Sequence, residues 1–441
     1  MLYPRILLTL AGLCCGALAW AQADDTEVVS ARYQVTYNGQ MHSSFRSEVS
    51  GSNSMTAAAD RMFTFSATAH WGARVWDGGE IYVNPELAAG VPFAGNLVGL
   101  GGFTNGEITR AAGSQPQPYL QRLFLRQTWN HGGGQEKVEA DFNQMAGFVD
   151  KNRFVLTAGN FSTLDVFDDN AYAKDPRTQF MNWGNWTYAA YDYAADARGF
   201  GVGVAGEWYR GDWVYRFARM SGPRVPNGLQ MDFALARHYG DQIEVEHAHT
   251  WGDQPGKLRV LAWRNSAILA NYSEAKAYLQ AHPGTNPQSF FDVRNGEKIK
   301  SGLGVNLEQA LTPAVGYFLR VMQADGKTET YAFTEVDDSI STGFRWSGSI
   351  WGRANDVVGA AWLRNGLSKT RRQFLEAGGI SYFIGDGRLS YQPEQILETF
   401  YSWQVVKGTW LTADVQRIHN PAYNALRGPV NVFALRAHAE F

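Results

Sequence analysis

The chain has 441 residues, a formal net charge of −3 and a mean hydropathy of −0.30. A charge so close to balance gives no basic surface for nucleic acid, so that class of partner is excluded. No apolar run of about twenty residues follows the N-terminal segment, which excludes a helical membrane protein. The 47 Gly, 15 Trp, 20 Tyr and 25 Phe residues suit the tight turns and aromatic girdles of a membrane β-barrel, but also a soluble β protein rich in aromatics.

The N-terminal segment has the pattern of an export signal. Arg5 precedes an apolar run over residues 6–20, and small residues follow that run. This pattern predicts a secretory signal peptide over residues 1–23, cleaved after Ala21 or Ala23. The run is short for a membrane span, so an uncleaved anchor is the weaker alternative. Both cysteines of the chain lie in this segment, and the predicted mature chain must therefore be held together without disulfides.

The first clear strands follow residues 24–60, which are either a flexible N-terminal segment or the first hairpin of the fold. Residues 63–76 alternate between apolar side chains at odd positions and mostly polar ones at even positions. After the turn at 77–79, the alternation continues over residues 80–84. A period of two predicts a hairpin of two strands, and strands of about ten residues suit a tilted membrane crossing.

The same alternation recurs along the chain, which predicts an all-β protein. It covers residues 122–129, 154–160, 315–321 and 397–405, and more weakly residues 213–217, 243–249 and 410–418. The second face of these strands carries arginine, carboxylates and aromatics together, which is typical of a lumen lining and not of a face in bulk water. We therefore expect residues 24–441 to form one transmembrane antiparallel β-barrel of about sixteen strands, at roughly 25 residues for each strand and its connection.

An acidic connection follows the strand predicted at 154–160. It contains Asp165, Asp168 and Asp169 and leads into an aromatic segment over residues 180–186. We expect this connection to fold inward and narrow the pore.

Two further motifs are assigned to ordinary structure. Residues 201–206 spell the dinucleotide fingerprint, but they run directly into Glu207 with no helix, so they predict a glycine-rich strand. His247 and His249 share a strand face without an evident third ligand, so no metal and no cofactor are predicted. No G-x-S-x-G elbow is present, which leaves an embedded hydrolase as a minority hypothesis.

One helix interrupts the β pattern. Asn271 and Glu274 fit a capping pair, and the segment ends before Pro283. This spacing predicts a short helix in a connecting loop at the rim of the barrel.

The last strand, residues 430–441, has one apolar face and one ionisable face. The apolar set is Phe433, Leu435, Ala437, Ala439 and Phe441, and the interleaved ionisable set is Arg436, His438 and Glu440. On a helix these ionisable residues would scatter around the axis, so the pattern predicts a strand. A soluble sandwich allows such a strand too. The closing Phe441 resembles the end of outer-membrane barrels, whose terminal strand serves as the assembly signal.

Longer stretches resemble the carbohydrate-selective porin family of OprB type. The resemblance runs in order from about residue 45 to the end, except that the pair at 425–426 is less polar than in the family. It is carried by residues 79–86 (GEIYVNPE), 102–107 (GFTNGE), 165–172 (DVFDDNAY), 385–394, 420–424 (NPAYN), 427–430 (RGPV) and 436–441. The resemblance implies an outer-membrane barrel through which small sugars diffuse passively, without catalysis.

Its implied partners are small carbohydrates, outer-membrane lipids and the barrel-assembly machinery. The resemblance does not decide between a monomer and a trimer. A sugar offers hydroxyls in all directions and two weakly apolar ring faces, so a selective pore needs arginine and carboxylate beside flat aromatics. The candidates for the sugar-binding pore lining are Arg74, Trp76, Glu80, Tyr82, Arg122, Phe124, Arg126 and Arg320. Alternatively, these arginines only pair with lumen carboxylates and stiffen the wall.

Two other functions stay open on the sequence alone. One is a barrel that serves as an enzyme acting on lipid or glycan, or as an envelope scaffold. The other is a secreted soluble β lectin.

Overall fold

The wall of the molecule is a closed antiparallel barrel. The computed structural model describes residues 26–111, 113–284 and 289–441, and within these residues sixteen strands form the barrel and two more form a separate hairpin. The all-β barrel fold and its predicted strand number are confirmed. The predicted signal peptide, residues 1–23, lies outside the described residues. None of the described helices has the length and apolar character that a membrane crossing requires.

The strands follow one another around the barrel in chain order, apart from the small hairpin β5–β6. Their bounds are β1 Val29–His42, β2 Asp60–Trp76, β3 Gly79–Val91, β4 Gly113–Asn130, β5 Gln135–Val138, β6 Gly147–Asp150, β7 Arg153–Phe161, β8 Gly201–Arg210, β9 Trp213–Met220, β10 Tyr239–Trp251, β11 Gln254–Ile268, β12 Glu297–Thr312, β13 Val315–Ala324, β14 Asp338–Ser347, β15 Val357–Gly366, β16 Glu394–Val406, β17 Thr409–His419 and β18 Val430–Glu440.

The barrel closes between its first and last strands. In this register Gln34 of β1 lies opposite Glu440 of β18, and Tyr37 lies opposite Ala437. Residues 29–42 therefore belong to the wall, and residues 43–59 form its first connection. The closure leaves no free edge between the two termini of the sheet, which is how a barrel satisfies its backbone hydrogen bonds in lipid.

Alternation sorts the side chains of each strand between the outside and the inside. On β18 the outer Leu435 is 71% exposed and the next residue, Arg436, is 1% exposed. The same change occurs on β2 between the exposed Trp71 and the buried His70. The faces predicted for the last strand are therefore confirmed, with apolar side chains outward and ionisable ones inward.

The two ends of the barrel differ in the length of their connections. One end has tight turns such as 77–78, 211–212 and 407–408, and it also holds the start of β1 and the end of β18. The other end has long connections, including 92–112 and 162–200. Bacterial barrels have short turns on the periplasmic side and long loops outside, so we call the two ends periplasmic and extracellular accordingly.

The hydrophobic core lies inside the extracellular half, where the long connections pack against one another. Trp183 stacks on Phe333 with ring centroids 4.9 Å apart, and its other side meets Phe103 at 5.7 Å. Phe103 in turn contacts Phe383 at 5.5 Å. These rings come from four different connections, so the connections form one packed body within the mouth.

Three short α-helices occur in the described residues, α1 Trp183–Trp186, α2 Tyr272–Ala281 and α3 Lys369–Glu376. The predicted helix in the β11–β12 connection is α2, and the Asn271 side chain caps it by accepting from the Ser273 N–H at 2.8 Å. Glu274 lies 3.5 Å from Lys298 and does not complete the predicted capping pair.

Candidate functional site

The interior of the barrel is crossed by the connection between β7 and β8, residues 162–200, here called the inward connection. Its Phe180 and Trp183 side chains are at most 1% exposed. The Glu398 carboxylate on β16 accepts the backbone N–H of Met181 at 2.5 Å. The sequence expectation that this segment folds inward thus agrees with its position, whereas its effect on pore width stays a prediction.

The far side of the inward connection is held by β18. The Arg436 guanidinium donates to the carbonyls of Pro176 at 2.8 Å and Gln179 at 2.9 Å. Three strands away around the barrel, Glu86 of β3 lies 2.7 Å from Arg177, which also lies 2.7 Å from Glu107 of the β3–β4 connection. The inward connection is therefore fastened to both β18 and β3. Sequence reasoning missed these residues because their partners are far apart in the chain.

Asp168 is the most completely bonded of the three predicted acidic residues. It is fully buried and accepts from Arg320 at 2.8 Å, Asn306 at 2.6 Å and Thr187 at 2.8 Å. Arg320 is itself only 1% exposed. Two residues predicted for different roles, pore lining and constriction, therefore form one buried ion pair that fixes the inward connection to β13.

Asp165 and Asp169 face water in the lumen. Asp165 receives two hydrogen bonds from Arg122, at 2.7 and 2.6 Å, and its side chain is 26% exposed. Burial by itself raises the pKa of the Asp165 carboxyl, but the charge and hydrogen bonds of Arg122 outweigh it and hold that pKa below its usual range. Asp169 is 56% exposed and lies 3.7 Å from Arg259. Both carboxylates therefore stay ionised beside cations.

The predicted aromatic and arginine patch forms on β2, β3 and β4. Tyr82 stacks on Phe124 with ring centroids 5.1 Å apart, and the Arg126 guanidinium lies 5.2 Å from the Tyr82 ring centre. Glu80 accepts from the Tyr82 hydroxyl at 2.7 Å and from Arg74 at 3.1 Å. The structure thus brings five of the residues predicted to line the pore into one contiguous set on the inner wall.

A periplasmic segment covers this patch. Residues 139–146, at the tip of the β5–β6 hairpin and here called the strap, fold back into the lumen. Arg126 donates to the Asn143 carbonyl at 2.8 Å, and Arg74 donates to the Ala146 carbonyl at 3.1 Å. Tyr82 is consequently only 1% exposed. The sequence pattern did not predict the strap, because the side chains of its residues do not alternate with a regular period.

Trp76 is a correction to the predicted pore lining. A β-bulge between Arg74 and Trp76 breaks the alternation at the end of β2. The Trp76 indole is 54% exposed and donates at 2.5 Å to Gln127, which is on the opposite face of β4 from Arg126. Trp76 therefore belongs with the outward rings near the periplasmic turns and not with the lumen.

A second set of charges, missed from the sequence, lies on β9 to β12. Arg216 lies 3.0 Å from both Glu244 and Glu246, and Arg259 lies 2.7 Å from Glu246 and 3.0 Å from Glu308. The spacing of Glu244 and Glu246 by two residues was the available signal, since it places both on one strand face. Alternating charges thus line the wall opposite Asp169.

Below the inward connection, toward the periplasm, lies a cavity of about 870 Å³, here called the vestibule. Tyr172 and Arg177 of the inward connection form part of its lining. The wall contributes Arg345 of β14, Trp410 of β17 and His438 of β18. A volume of this size falls in the range of small-molecule sites.

The two motifs set aside in the sequence have ordinary places in the structure. Residues 201–206 lie in β8, so no nucleotide-binding turn forms there. His247 and His249 lie on β10 with ring centroids 6.3 Å apart. Among the described residues, no group of three metal-binding side chains comes together. Phe441 follows β18, and its backbone N–H donates to the Tyr33 carbonyl at 2.9 Å.

Comparison with known proteins agrees with this architecture. Residues 72–441 match the family described as carbohydrate-selective porin, OprB family. The high-pH structure of Pseudomonas putida OprB is similar at 14% sequence identity, with a TM-score of 0.64 and coverage of 93% of this chain and 94% of that chain. The low-pH structure gives 10% identity, a TM-score of 0.48 and coverage of 93% and 92%.

A loop-deletion mutant of OmpT, an outer membrane protein of Vibrio cholerae, gives 11% identity, a TM-score of 0.48 and coverage of 94% of this chain and 100% of that chain. No curated protein gives a significant match to the sequence. The family match extends over most of the chain, from the middle of β2 to the last residue. The chain therefore belongs to the carbohydrate-selective porin family of OprB type, and it is an outer-membrane β-barrel that admits carbohydrates by passive diffusion.

Proposed function

We propose that the sugars admitted are small and neutral, and that they pass along the exposed edge of the inward connection into the vestibule. The observation that carries this route is the exposure of Asp169, which is 56% although it lies inside the barrel. Water reaches this edge, so a hydrated solute of small size can follow it.

The chemistry along the edge supports a polyhydroxyl solute. Asp165 and Asp169 offer acceptors, Arg122 of β4 offers donors beside Asp165, and Lys257 of β11 offers donors farther along the wall. Lys257 is 40% exposed, and Arg122 is 12% exposed. Because each charge lies near an opposite one, the edge serves hydroxyl donors and acceptors without favouring ions of one sign. Weak, repeated contacts of this kind let a sugar enter and leave.

The buried candidates have a different role in this proposal. Arg320, Tyr82 and Phe124 are at most 4% exposed, so they shape the wall and do not touch the solute. The alternative that arginines stiffen the wall thus applies to Arg320, while Arg122 lines the path. Phe441 serves as the assembly signal, and the chain reaches the Gram-negative outer membrane after cleavage of residues 1–23.

Swelling of proteoliposomes tests the function. Liposomes that hold the purified mature protein should swell in isosmotic D-glucose, and faster than in a non-sugar solute of equal size. Liposomes without protein, and liposomes with heat-unfolded protein, are the controls. Hydrolysis of lipid or glycan without swelling would support the enzyme hypothesis, and no swelling together with no hydrolysis would support a scaffold.

A further inference from the structure

Arg345 differs from the other arginines of the inner wall in having no partner. Arg74, Arg122, Arg259 and Arg320 each lie within 3.1 Å of a carboxylate oxygen. Within the described part of the chain, by contrast, the Arg345 side chain has neither a hydrogen bond nor an ion pair, and its Nε is buried without an acceptor. The Arg345 side chain is only partly buried, and the N–H donors of its two terminal nitrogens have no partner among the described residues and can serve a ligand.

The position of Arg345 points it at the vestibule. On β14 it lies opposite Gly316 of β13 and Gly359 of β15. Tyr172 of the inward connection occupies the space over Gly316, where an added Cβ would come within 2.0 Å of the tyrosine ring. Arg345 and Tyr172 both line the vestibule, so a donor fork and a flat ring meet at one place on its wall.

Tyr172 is held in place from behind. Its backbone N–H donates to the Asn170 side chain at 3.0 Å, and Asn170 donates to Asn306 at 2.7 Å. Asn306 also donates to Asp168, the anchor of the inward connection. The backbone of Tyr172 is thus fixed by a chain of hydrogen bonds, and its ring packs over Gly316, which gives the rigidity that a binding site needs.

The charges of the vestibule argue against an anionic ligand. Its ionised lining residues are Arg177, Arg345, Asp253 and Glu440, two of each sign. Arg177 is already neutralised by Glu86 and Glu107. The remaining lining therefore gives no net attraction for an anion.

We propose that Arg345 and Tyr172 form an exit subsite that binds a neutral sugar ring on the periplasmic side of the inward connection. Arg345 donates to ring hydroxyls, and the apolar face of the sugar packs on Tyr172. The subsite rests on the proposed porin function and deepens it, since it gives the sugar a second binding site after the exposed edge of the inward connection and before release.

The test measures current through single channels of the full-length mature protein in planar bilayers. D-Glucose added on the periplasmic side should interrupt the ion current of the wild type, and the concentration for half-blocking gives the affinity. Arg345→Ala should raise that concentration about tenfold, the loss expected for one hydrogen bond from a charged donor. Tyr172→Leu should raise it as well, without a change in ion selectivity.

Two variants separate sugar recognition from simple charge. Arg345→Lys keeps the positive charge, so this channel should keep the ion selectivity of the wild type. D-Glucose should nevertheless block it only at a higher concentration, because lysine lacks the planar donor fork. Arg353→Ala is the matched control, since Arg353 lies in the β14–β15 turn, is paired with Asp356 and is outside the vestibule. It should block like the wild type.

Several results would overturn the subsite. The proposal is wrong if D-glucose half-blocks the Arg345→Ala and Tyr172→Leu channels at the same concentration as the wild type. It is also wrong if Arg345→Ala changes only the ion selectivity. It is wrong in its ligand class if D-gluconate blocks more strongly than D-glucose. In each of these cases wild-type liposomes would still swell in D-glucose, whereas failure of swelling would remove the porin proposal itself.

Discussion

At the scale of single residues, the ionised groups inside this barrel fall into two classes, those in buried ion pairs and those in solvent-exposed ion pairs. Asp168 and Arg320 are both at most 1% exposed and hold the inward connection against β13. Asp169, the next residue, is 56% exposed and lies 3.7 Å from its cation. A buried charge without its partner is costly, while an exposed pair contributes little. Neighbouring aspartates therefore have different weights in stability.

Replacing Asp168 by alanine should destabilise the barrel strongly. The substitution leaves Arg320 buried without its counter-charge, and such losses cost about 3–5 kcal/mol. Asp169→Ala is the matched control and should cost about 0–1 kcal/mol, because its side chain is solvated. Thermal unfolding in detergent, followed by the mobility of folded and unfolded forms on gels, measures both. Equal midpoints for the two variants would show that the buried pair is not the anchor.

At the scale of elements, the strap explains why the predicted sugar-binding patch is not open to the lumen. It enters from the periplasmic end and places its carbonyls on Arg74 and Arg126. Phe142 of the strap lies with its ring centroid 4.4 Å from that of His70 on β2. Two segments thus lie inside the barrel, the inward connection from the extracellular end and the strap from the periplasmic end.

Removing the strap should raise single-channel conductance, because its residues occupy part of the lumen. Val138 of β5 lies opposite Gly147 of β6, so replacement of residues 139–146 by Asn-Gly keeps the hairpin closed by a two-residue turn. Phe148→Ser is the control on the same hairpin, since Phe148 is 48% exposed, and it should conduct like the wild type. Unchanged conductance after the replacement would mean that the strap leaves the narrowest section untouched.

At the scale of the whole molecule, the barrel is inverted relative to a soluble protein. Its outer surface is apolar, as at Leu435 and Ile243, and its polar residues are inside. Lipid therefore covers the outer face, and internal hydrogen bonds must satisfy the backbone. The depth of an outer residue in the bilayer then decides what a charge at that position costs.

Leu435 and Val29 test this inversion, because both are 71% exposed on the outer face. Leu435 lies midway along β18, where Leu435→Arg should lower the free energy of unfolding by about 2–4 kcal/mol. Val29 is the first residue of β1 at the periplasmic rim, where Val29→Arg should cost about 0–1 kcal/mol. Denaturant unfolding in lipid vesicles measures the difference. Equal costs at the two positions would contradict a bilayer around the barrel.

Much of the wall was predictable from the sequence. Strand alternation depends on neighbouring residues alone, so β2, β3, β16 and β18 could be recognised, and the inward faces of Arg74, Tyr82 and Phe124 followed from it. Where the register slips, this reasoning fails. Trp76 was predicted to face inward because the residue pattern does not show the β-bulge, which reverses the direction of the side chain at the end of β2.

By itself, then, the sequence determined the two-sided strands, the barrel and its family, because these depend on local period and on motifs in chain order. Only the tertiary structure decided which inward charges are buried and which meet water. Asp168 and Asp169 are adjacent in sequence, and their difference arises from β13 and β11, which are more than eighty residues away. Arg345 likewise became distinct only when the other inner arginines were seen with their carboxylate or carbonyl partners, since pairing across a barrel leaves no trace in spacing along the chain.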